Sequence, residues 1–111
     1  MQIHLSPRNI RLTAAIHSHV GDKIMRLDTE PHEILASHIV LMREESSLSG
    51  VVYRVNARLE VPGPDLHATA VENDLYSAID RVSDKLLRLL RKRNALLDSH
   101  DQKTVLMGVQ G

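Results

Sequence analysis

The sequence contains no cysteine, no tryptophan and no phenylalanine, and Tyr53 and Tyr76 are its only tyrosines. Without cysteine, disulfides, iron–sulfur clusters and Cys-ligated zinc sites are excluded, which fits a reducing compartment. Proteins that read single-stranded bases usually stack them on several aromatic rings, so this composition disfavours that mode of binding. We interpret neither tyrosine as available for stacking, because Tyr53 alternates with the apolar face of a predicted strand and Tyr76 lies near the start of a predicted helix.

A net charge and a long hydrophobic run are also missing. Fourteen Lys and Arg residues balance fourteen Asp and Glu residues, so any attraction to a polyanion has to come from local clustering. No apolar run approaches the roughly 20 residues that cross a bilayer, and the N-terminus lacks the charged and apolar regions of a signal peptide. We therefore expect a cytoplasmic protein with no membrane partner.

The chain of 111 residues is long enough for one domain with a single core and too short for two. Alternating apolar residues predict strands, and apolar residues at intervals of three and four predict helices. Thr13 is a plausible N-cap of the first helix, and Asn73 or Asp74 is a plausible cap of the second. The predicted elements are a strand at 2–6, a helix from 13 to about 28, strands at 34–42, 51–61 and 66–71, and a helix from about 74.

This order, β-α-β-β-β-α, predicts an α+β fold: a two-layer sandwich with a four-stranded, mainly antiparallel sheet and two helices packed on one face. The polar segment 44–50 is interpreted as a flexible hairpin loop. Residues 1–99 are expected to form the domain, and residues 100–111 a flexible C-terminal tail. The predicted apolar line of the second helix consists of Leu75, Ala78, Ile79, Val82, Leu86, Leu89, Leu90 and Leu97.

The second predicted helix carries a basic stripe, which consists of Arg81, Lys85, Arg88 and Lys92. Their spacing of four, three and four residues places them in one narrow sector at about 100° per residue. Arg91 and Arg93 raise the number of positive charges between residues 85 and 93 to five, with no acidic residue among them. Such a surface suits phosphate oxygens, which arginine grips with two hydrogen bonds and lysine neutralises as a point charge.

The simpler alternative is that the stripe is only a solvated helix face, which is what most charge runs are. Like charges at these spacings cost a few tenths of a kcal/mol per pair in a helix, however, so a sequence optimised for stability would mix in more acids. Only Asp84 and Arg88 have the favourable order.

The first predicted helix offers Lys23 and Arg26. Lys23 falls among apolar residues, so its stem is expected to lie along the core and its ammonium to reach the seam between the helices, where both helices would supply one basic surface. The alternative is a lysine that reaches solvent and binds nothing. Arg8 and Arg11 are weaker candidates, whereas Arg54 and Arg58 are expected to cover the open face of the sheet.

Seven histidines suggest a metal site, but the sequence has no His-Glu-x-x-His or comparable ligand spacing. The sequence also has no Gly-x-Ser-x-Gly elbow, Walker loop or dinucleotide fingerprint. We therefore predict no metal, no cofactor, no small-molecule substrate and no enzymatic activity.

Segments 73–80 and 84–88 resemble the signature of the ribosome hibernation promoting factor and ribosome-associated inhibitor family. That family typically shows Asp-(Met/Leu)-Tyr-x-Ala-Ile-Asp followed by Asp-Lys-Leu-x-Arg-Gln-Leu-x-Lys. The segments 13–16, 23–27 and 38–41 are also similar to the family pattern, so the resemblance covers residues 1 to about 98. Leu89 departs from it, since many members have Gln there, and Arg91 and Arg93 are additional basic residues.

The resemblance implies a β-α-β-β-β-α protein that binds ribosomal RNA between the head and body of the small subunit and overlaps the paths of messenger and transfer RNA. Off the ribosome we expect a monomer. Because the sequence does not contain the C-terminal dimerisation domain of long members, both promotion of ribosome dimers and blocking of single ribosomes stay open. The resemblance places Lys23, Arg26, Lys85, Arg88 and Lys92 on the RNA, with Arg8, Arg81, Arg91 and Arg93 as possible additional contacts.

A second hypothesis is a protein-interaction regulator, such as a transcription-factor modulator, that acts through the open sheet face or an edge. Steep weakening of binding by salt would favour RNA, because phosphate contacts release counterions.

Overall fold

The computed structural model describes residues 1–28 and 33–110, with side chains as far as residue 98. The order of elements is β-α-β-β-β-α, as the sequence predicts, and the fold is an α+β sandwich of two helices and a four-stranded sheet. The elements are β1 (Gln2–Arg8), α1 (Ala14–Leu27), β2 (Ala36–Ser46), β3 (Gly50–Glu60), β4 (Leu66–Glu72) and α2 (Leu75–Gln110).

The four strands form one mixed sheet in the order β1-β2-β3-β4, so β1 and β4 are its edges. β1 and β2 are parallel, with Leu5 opposite Ile39. Parallel neighbours need a crossover connection, and α1 supplies it. The other two pairs are antiparallel, which makes the sheet mainly antiparallel as predicted.

Helix α1 begins where the sequence predicts. The Thr13 hydroxyl oxygen accepts a hydrogen bond from the backbone N–H of Ile16 at 3.2 Å and so satisfies one of the free donors of the first turn. Asp28 ends the helix as its C-cap. The buried residues of α1 follow a helical repeat and face the sheet: Ile16, Val20, Ile24 and Leu27.

The core lies between the helices and one face of the sheet. Alternate residues of the central strands, such as Leu41 and Val55, point into it, while their neighbours point to the open face. The α2 residues of the core include Ala78, Ile79, Val82, Leu86 and Leu90.

Helix α2 is capped by Asp74, whose Oδ2 accepts hydrogen bonds from the Ser77 backbone N–H at 2.9 Å and the Ser77 hydroxyl at 3.0 Å. The predicted apolar line is wrong at two positions, because Leu89 and Leu97 are exposed. Leu89 faces the edge strand β4 rather than the sheet interior. The helical backbone continues to Gln110, past the predicted domain boundary at residue 99, and the side chains of the predicted tail lie outside the described residues.

The β2–β3 hairpin is tighter than predicted. Most of the predicted loop 44–50 belongs to the ladder, because Ser46 pairs with Gly50 and only 47–49 connect the strands. Ion pairs across and along the strands, such as Arg54 with Glu44 at 2.8 Å, let these polar residues remain in strand conformation. Gly50 has a φ of 71°, a left-handed conformation that favours glycine.

Candidate nucleic-acid interface

The basic stripe lies on the flank of α2 that faces the edge strand β4. Its first two members are held by that region: the Arg81 guanidinium donates to Glu72 Oε1 at 2.8 Å, and the Lys85 ammonium donates to the Thr69 carbonyl at 2.7 Å. The carbonyl belongs to an open sheet edge, so Lys85 also satisfies an edge acceptor. The N-terminal half of the stripe is therefore anchored to the sheet.

The second half of the stripe is different. Arg88 and Lys92 have no hydrogen bond or ion pair with any of the described residues, and both side chains are exposed. Asp84 lies one turn before Arg88, yet the two side chains do not come within ion-pair distance. Two cations thus face solvent with their charge uncompensated by the described part of the chain.

A groove of about 400 Å³ runs between the stripe and β4. Lys85, Arg88 and Lys92 line one wall, and His67, Ala68 and Thr69 of β4 line the other. Leu89 contributes an apolar floor and is 37% exposed. The groove therefore combines three cations with a shallow apolar surface, which suits the backbone of a nucleic acid.

Arg91 and Arg93 lie outside the stripe. The Arg93 guanidinium donates to the Pro62 carbonyl and, at 3.2 Å, to Asn94 Oδ1, so it joins α2 to the β3–β4 turn. Arg91 is exposed and, at about 100° per residue, projects on the opposite flank of α2, in line with Asp80.

Lys23 lies in the seam between the helices, as the sequence predicts. Its ammonium is 3.5 Å from Asp80 Oδ1, and the same oxygen is 2.6 Å from His19 Nε2. Asp80 projects from the flank of α2 that faces α1, whereas the stripe contacts β4. The prediction that both helices supply one basic surface is therefore wrong. The cations form two regions, one beside α1 and one beside β4, with Asp80 and Asp84 between them.

The other predicted cations are near the ends of α1 and β1. Arg26 is exposed in the last turn of α1, where a positive charge complements the helix dipole. Arg8 ends β1, and Arg11 lies between β1 and α1; both are exposed and without a hydrogen bond or ion pair to a described residue.

Arginines on the open face of the sheet are paired with carboxylates. Arg54 contacts Glu44 at 2.8 Å, and Arg58 contacts Asp65 at 2.8 Å and Glu60 at 3.3 Å. The hydrogen bond to Asp65, aided by Glu60, raises the pKa of Arg58 above its ordinary value. The prediction that Arg54 and Arg58 cover the open face is confirmed.

Histidines also gather on this face, where the rings of His4 and His38 stack with centroids 4.9 Å apart. His38 Nε2 lies 3.2 Å from Glu60 Oε1. Within residues 1–28 and 33–98, no three histidine or carboxylate side chains come together as a set of metal ligands. No helix in the described part of the chain is long and apolar enough to cross a membrane.

The tyrosines are the feature that the sequence interpretation missed. Tyr76 is 39% exposed, and both Tyr53 and Tyr76 line one cavity. Tyr76 is the second residue of α2, and its ring contacts the ring of His19 in α1, which the spacing of residues in the sequence does not reveal.

Comparison with known proteins relates residues 3–97 to the family described as sigma 54 modulation protein / S30EA ribosomal protein. The chain is 33% identical over 100 residues to the ribosome hibernation promoting factor of Escherichia coli K12, covering 90% of this chain and all of that protein. It is 28% identical over 108 residues to the ribosome hibernation promoting factor of Pseudomonas putida, covering 97% and 96% of the two chains.

Among solved structures, the N-terminal domain of Thermus thermophilus Protein Y matches with a TM-score of 0.71 and 32% identity, covering 83% of this chain and 98% of that one. A ribosomal subunit interface protein from Coxiella burnetii matches with a TM-score of 0.73 and 26% identity, covering 86% and 99%. The fold, the positions of the matched residues and these similarities agree: the chain belongs to the sigma 54 modulation protein / S30EA ribosomal protein family.

Proposed function

We propose that this chain is a ribosome hibernation factor that binds the ribosomal RNA of the small subunit between its head and body. In this proposal it blocks translation because it overlaps the sites of messenger and transfer RNA. It acts by binding in the cytoplasm, without catalysis, and is monomeric off the ribosome. Family membership and the names of the relatives support the link to ribosomes.

The observation that carries the RNA proposal is the unpaired half of the basic stripe. Like charges one turn apart on a helix are destabilising, and Arg88 and Lys92 make no hydrogen bond or ion pair with the described residues that would offset this cost. Phosphate oxygens would supply the missing partners, and release of condensed counterions would add to the binding free energy.

Shape and phosphate recognition fits the chemistry of this surface. The groove beside the stripe is lined by cations, by Leu89 and by the β4 residues His67, Ala68 and Thr69, and neither tyrosine lines it. A surface dominated by cations contacts the phosphates along a folded RNA backbone, and phosphate contacts carry no direct information on the bases. We assign Lys85, Arg88 and Lys92 to the centre of the contact.

Lys23 and Arg26 form the second contact region, on the α1 side. Lys23 is held at 3.5 Å from Asp80 Oδ1, which limits the number of positions its ammonium takes up before RNA arrives. Arg8, Arg81 and Arg91 are secondary candidates. Arg93 is the weakest of the possible additional contacts, because its guanidinium already donates to the Pro62 carbonyl and to Asn94.

The alternative, a protein-interaction regulator that uses the open sheet face or an edge, has less support. Arg54 and Arg58 on that face already satisfy nearby carboxylates, and the β4 edge has its Thr69 carbonyl occupied by Lys85. A partner there would first have to break these contacts.

The decisive experiment is sucrose-gradient fractionation of stationary-phase lysate, probed for this protein and for the variant with Arg88→Glu and Lys92→Glu. We expect wild type to co-sediment with small subunits and whole ribosomes, and the folded double variant to stay at the top of the gradient. Co-sedimentation of the variant at the wild-type level would rule out the stripe as the contact. Absence of the wild-type protein from every ribosomal fraction would rule out the proposed function.

A further inference from the structure

We propose that the tyrosine cavity, lined by Tyr53, Tyr76, Arg11 and Arg43, binds a single nucleotide, with the base against the rings and the phosphate at Arg11. This site goes beyond the proposed function, because it shares no residue with the basic stripe. The cavity has a volume of about 340 Å³, which lies within the range of small-ligand sites.

The convergence of the tyrosines is the first observation. The chain has two tyrosines and no phenylalanine or tryptophan, and these two residues, 23 positions apart, line the same cavity. Tyr53 is only partly buried and packs against the core, whereas Tyr76 is 39% exposed. The rings therefore provide an aromatic surface that is open to a ligand and supported from behind.

The Tyr76 ring has an aromatic neighbour in α1. Its ring meets the His19 ring edge-on, with centroids 5.0 Å apart and an interplanar angle of 81°. His19 is held in turn by Asp80 Oδ1 at 2.6 Å. Because an aromatic platform that is already ordered loses little entropy on binding, this arrangement favours stacking of a flat base.

The charges beside the rings favour an anion. Arg11 is exposed and has no hydrogen bond or ion pair with a described residue. Arg43 lies directly opposite Tyr53 in the β2–β3 register, which places both side chains on the same face, although it also contacts Glu45 at 3.1 Å. Asp74 lines the cavity too, but its Oδ2 already accepts two hydrogen bonds from Ser77 as the cap of α2.

A planar ring that stacks and an anion that an arginine grips are the two parts of a nucleotide. The same chemistry is offered by a free nucleotide and by one unstacked nucleotide of an RNA. Stacking of a base on an aromatic side chain tolerates any base, so we expect weak discrimination among the four.

The test uses the full chain and follows the tyrosine ring resonances by NMR, because both tyrosines report on this cavity. The ligands are adenosine monophosphate, ribose 5-phosphate as a control without a base, and a short unstructured RNA. We expect a saturable shift with adenosine monophosphate or with the RNA, and a much weaker response to ribose 5-phosphate. Tighter binding of the mononucleotide identifies a free nucleotide as the ligand, and tighter binding of the RNA identifies an RNA nucleotide.

Variants test the residues that line the cavity. Tyr76→Ala should weaken binding by roughly five- to 150-fold, the range for loss of one stacked base, while Tyr76→Phe keeps most of it. For Tyr76→Ala the remaining Tyr53 ring is the reporter. Arg11→Ala should weaken binding of adenosine monophosphate, whereas Arg54→Ala, the loss of an arginine that does not line the cavity, should not.

The Arg54→Gln, Arg58→Gln variant, which keeps every residue that lines the cavity, should bind adenosine monophosphate as wild type does. Because the mononucleotide assay contains no ribosome, its outcome is independent of the proposed function. No shift with either base-containing ligand would overturn the proposal. So would a response to adenosine monophosphate that survives both Tyr76→Ala and Arg11→Ala.

Discussion

The open face of the sheet and the basic stripe of α2 both carry arginines, but the arginines differ in whether a carboxylate lies beside them. On the sheet, Arg54 and Arg58 each lie within 2.8 Å of a carboxylate oxygen. On α2, Arg88 and Lys92 have no such partner among the described residues. The number of basic residues therefore does not identify an interface. A cation without a carboxylate partner in the described part of the chain can bind an external anion, whereas a cation that is already paired would first have to break its ion pair.

The largest expected effect is on the affinity for small subunits, and it appears when two cations of the stripe are neutralised but not when two arginines of the sheet are neutralised. Arg88→Gln with Lys92→Gln should weaken binding to purified small subunits by roughly tenfold or more for each lost contact, because hydrogen bonds between charged groups are among the strongest in proteins. Arg54→Gln with Arg58→Gln removes the same number of charges and should change the affinity little. Equal losses for the two pairs, measured by equilibrium binding, would show that only net charge matters.

A smaller effect is expected from Lys85→Ala, at the anchored end of the stripe. Loss of one phosphate contact should weaken binding and make the slope of log affinity against log salt shallower by roughly 0.7 to 0.9. The measurement is a salt series with intact small subunits, with an unstructured RNA oligomer as comparison. Tight binding of the oligomer that does not respond to salt would contradict recognition by shape and phosphate.

The free energy of unfolding should respond in the opposite way to the binding affinity, with a loss for the sheet variant and none for the stripe variant. Arg54→Gln removes a half-exposed ion pair with Glu44 and should lower the free energy of unfolding by about 0.2 to 1 kcal/mol. Arg88→Gln removes no described contact and relieves repulsion within the stripe, so it should leave stability unchanged or slightly higher. Urea unfolding of the two variants checks this, and a larger loss for Arg88→Gln would mean that Arg88 has a structural partner.

The smallest effect, none, is expected from a chelator. The histidines of the open face include His4, His38 and His67, but no three ligands gather within the described residues. Addition of EDTA should leave the melting temperature of the isolated protein unchanged. A fall in melting temperature that zinc reverses would reveal a metal site that the sequence and the fold do not predict.

The order of elements and the sheet follow from patterns that the sequence displays directly. Thr13 with Ile16, Val20, Ile24 and Leu27 specifies α1, because the cap and the apolar repeat agree. The polar segment 44–50 misled the prediction: hydrophobic alternation ends there, but cross-strand ion pairs keep it in the ladder. Such pairs depend on register, which periodicity alone does not give.

The candidate site was predictable in part. Spacing along α2 is sufficient to group Lys85, Arg88 and Lys92, since all three are on one helix. Whether a cation is paired depends on residues of other strands and helices. The contacts of Lys85 with Thr69 and of Lys23 with Asp80 could therefore not be predicted from the sequence. The tyrosine cavity was missed for the same reason, because Tyr53 and Tyr76 line one cavity only after the strands and helices pack.

The most direct test of the central claim is a cryo-EM reconstruction of this protein bound to the ribosome. The account predicts α2 between the head and body of the small subunit, with Arg88 and Lys92 against RNA phosphates and the open sheet face making fewer RNA contacts. A complex in which α2 faces solvent and Arg54 and Arg58 leave their carboxylates to bind RNA would contradict it.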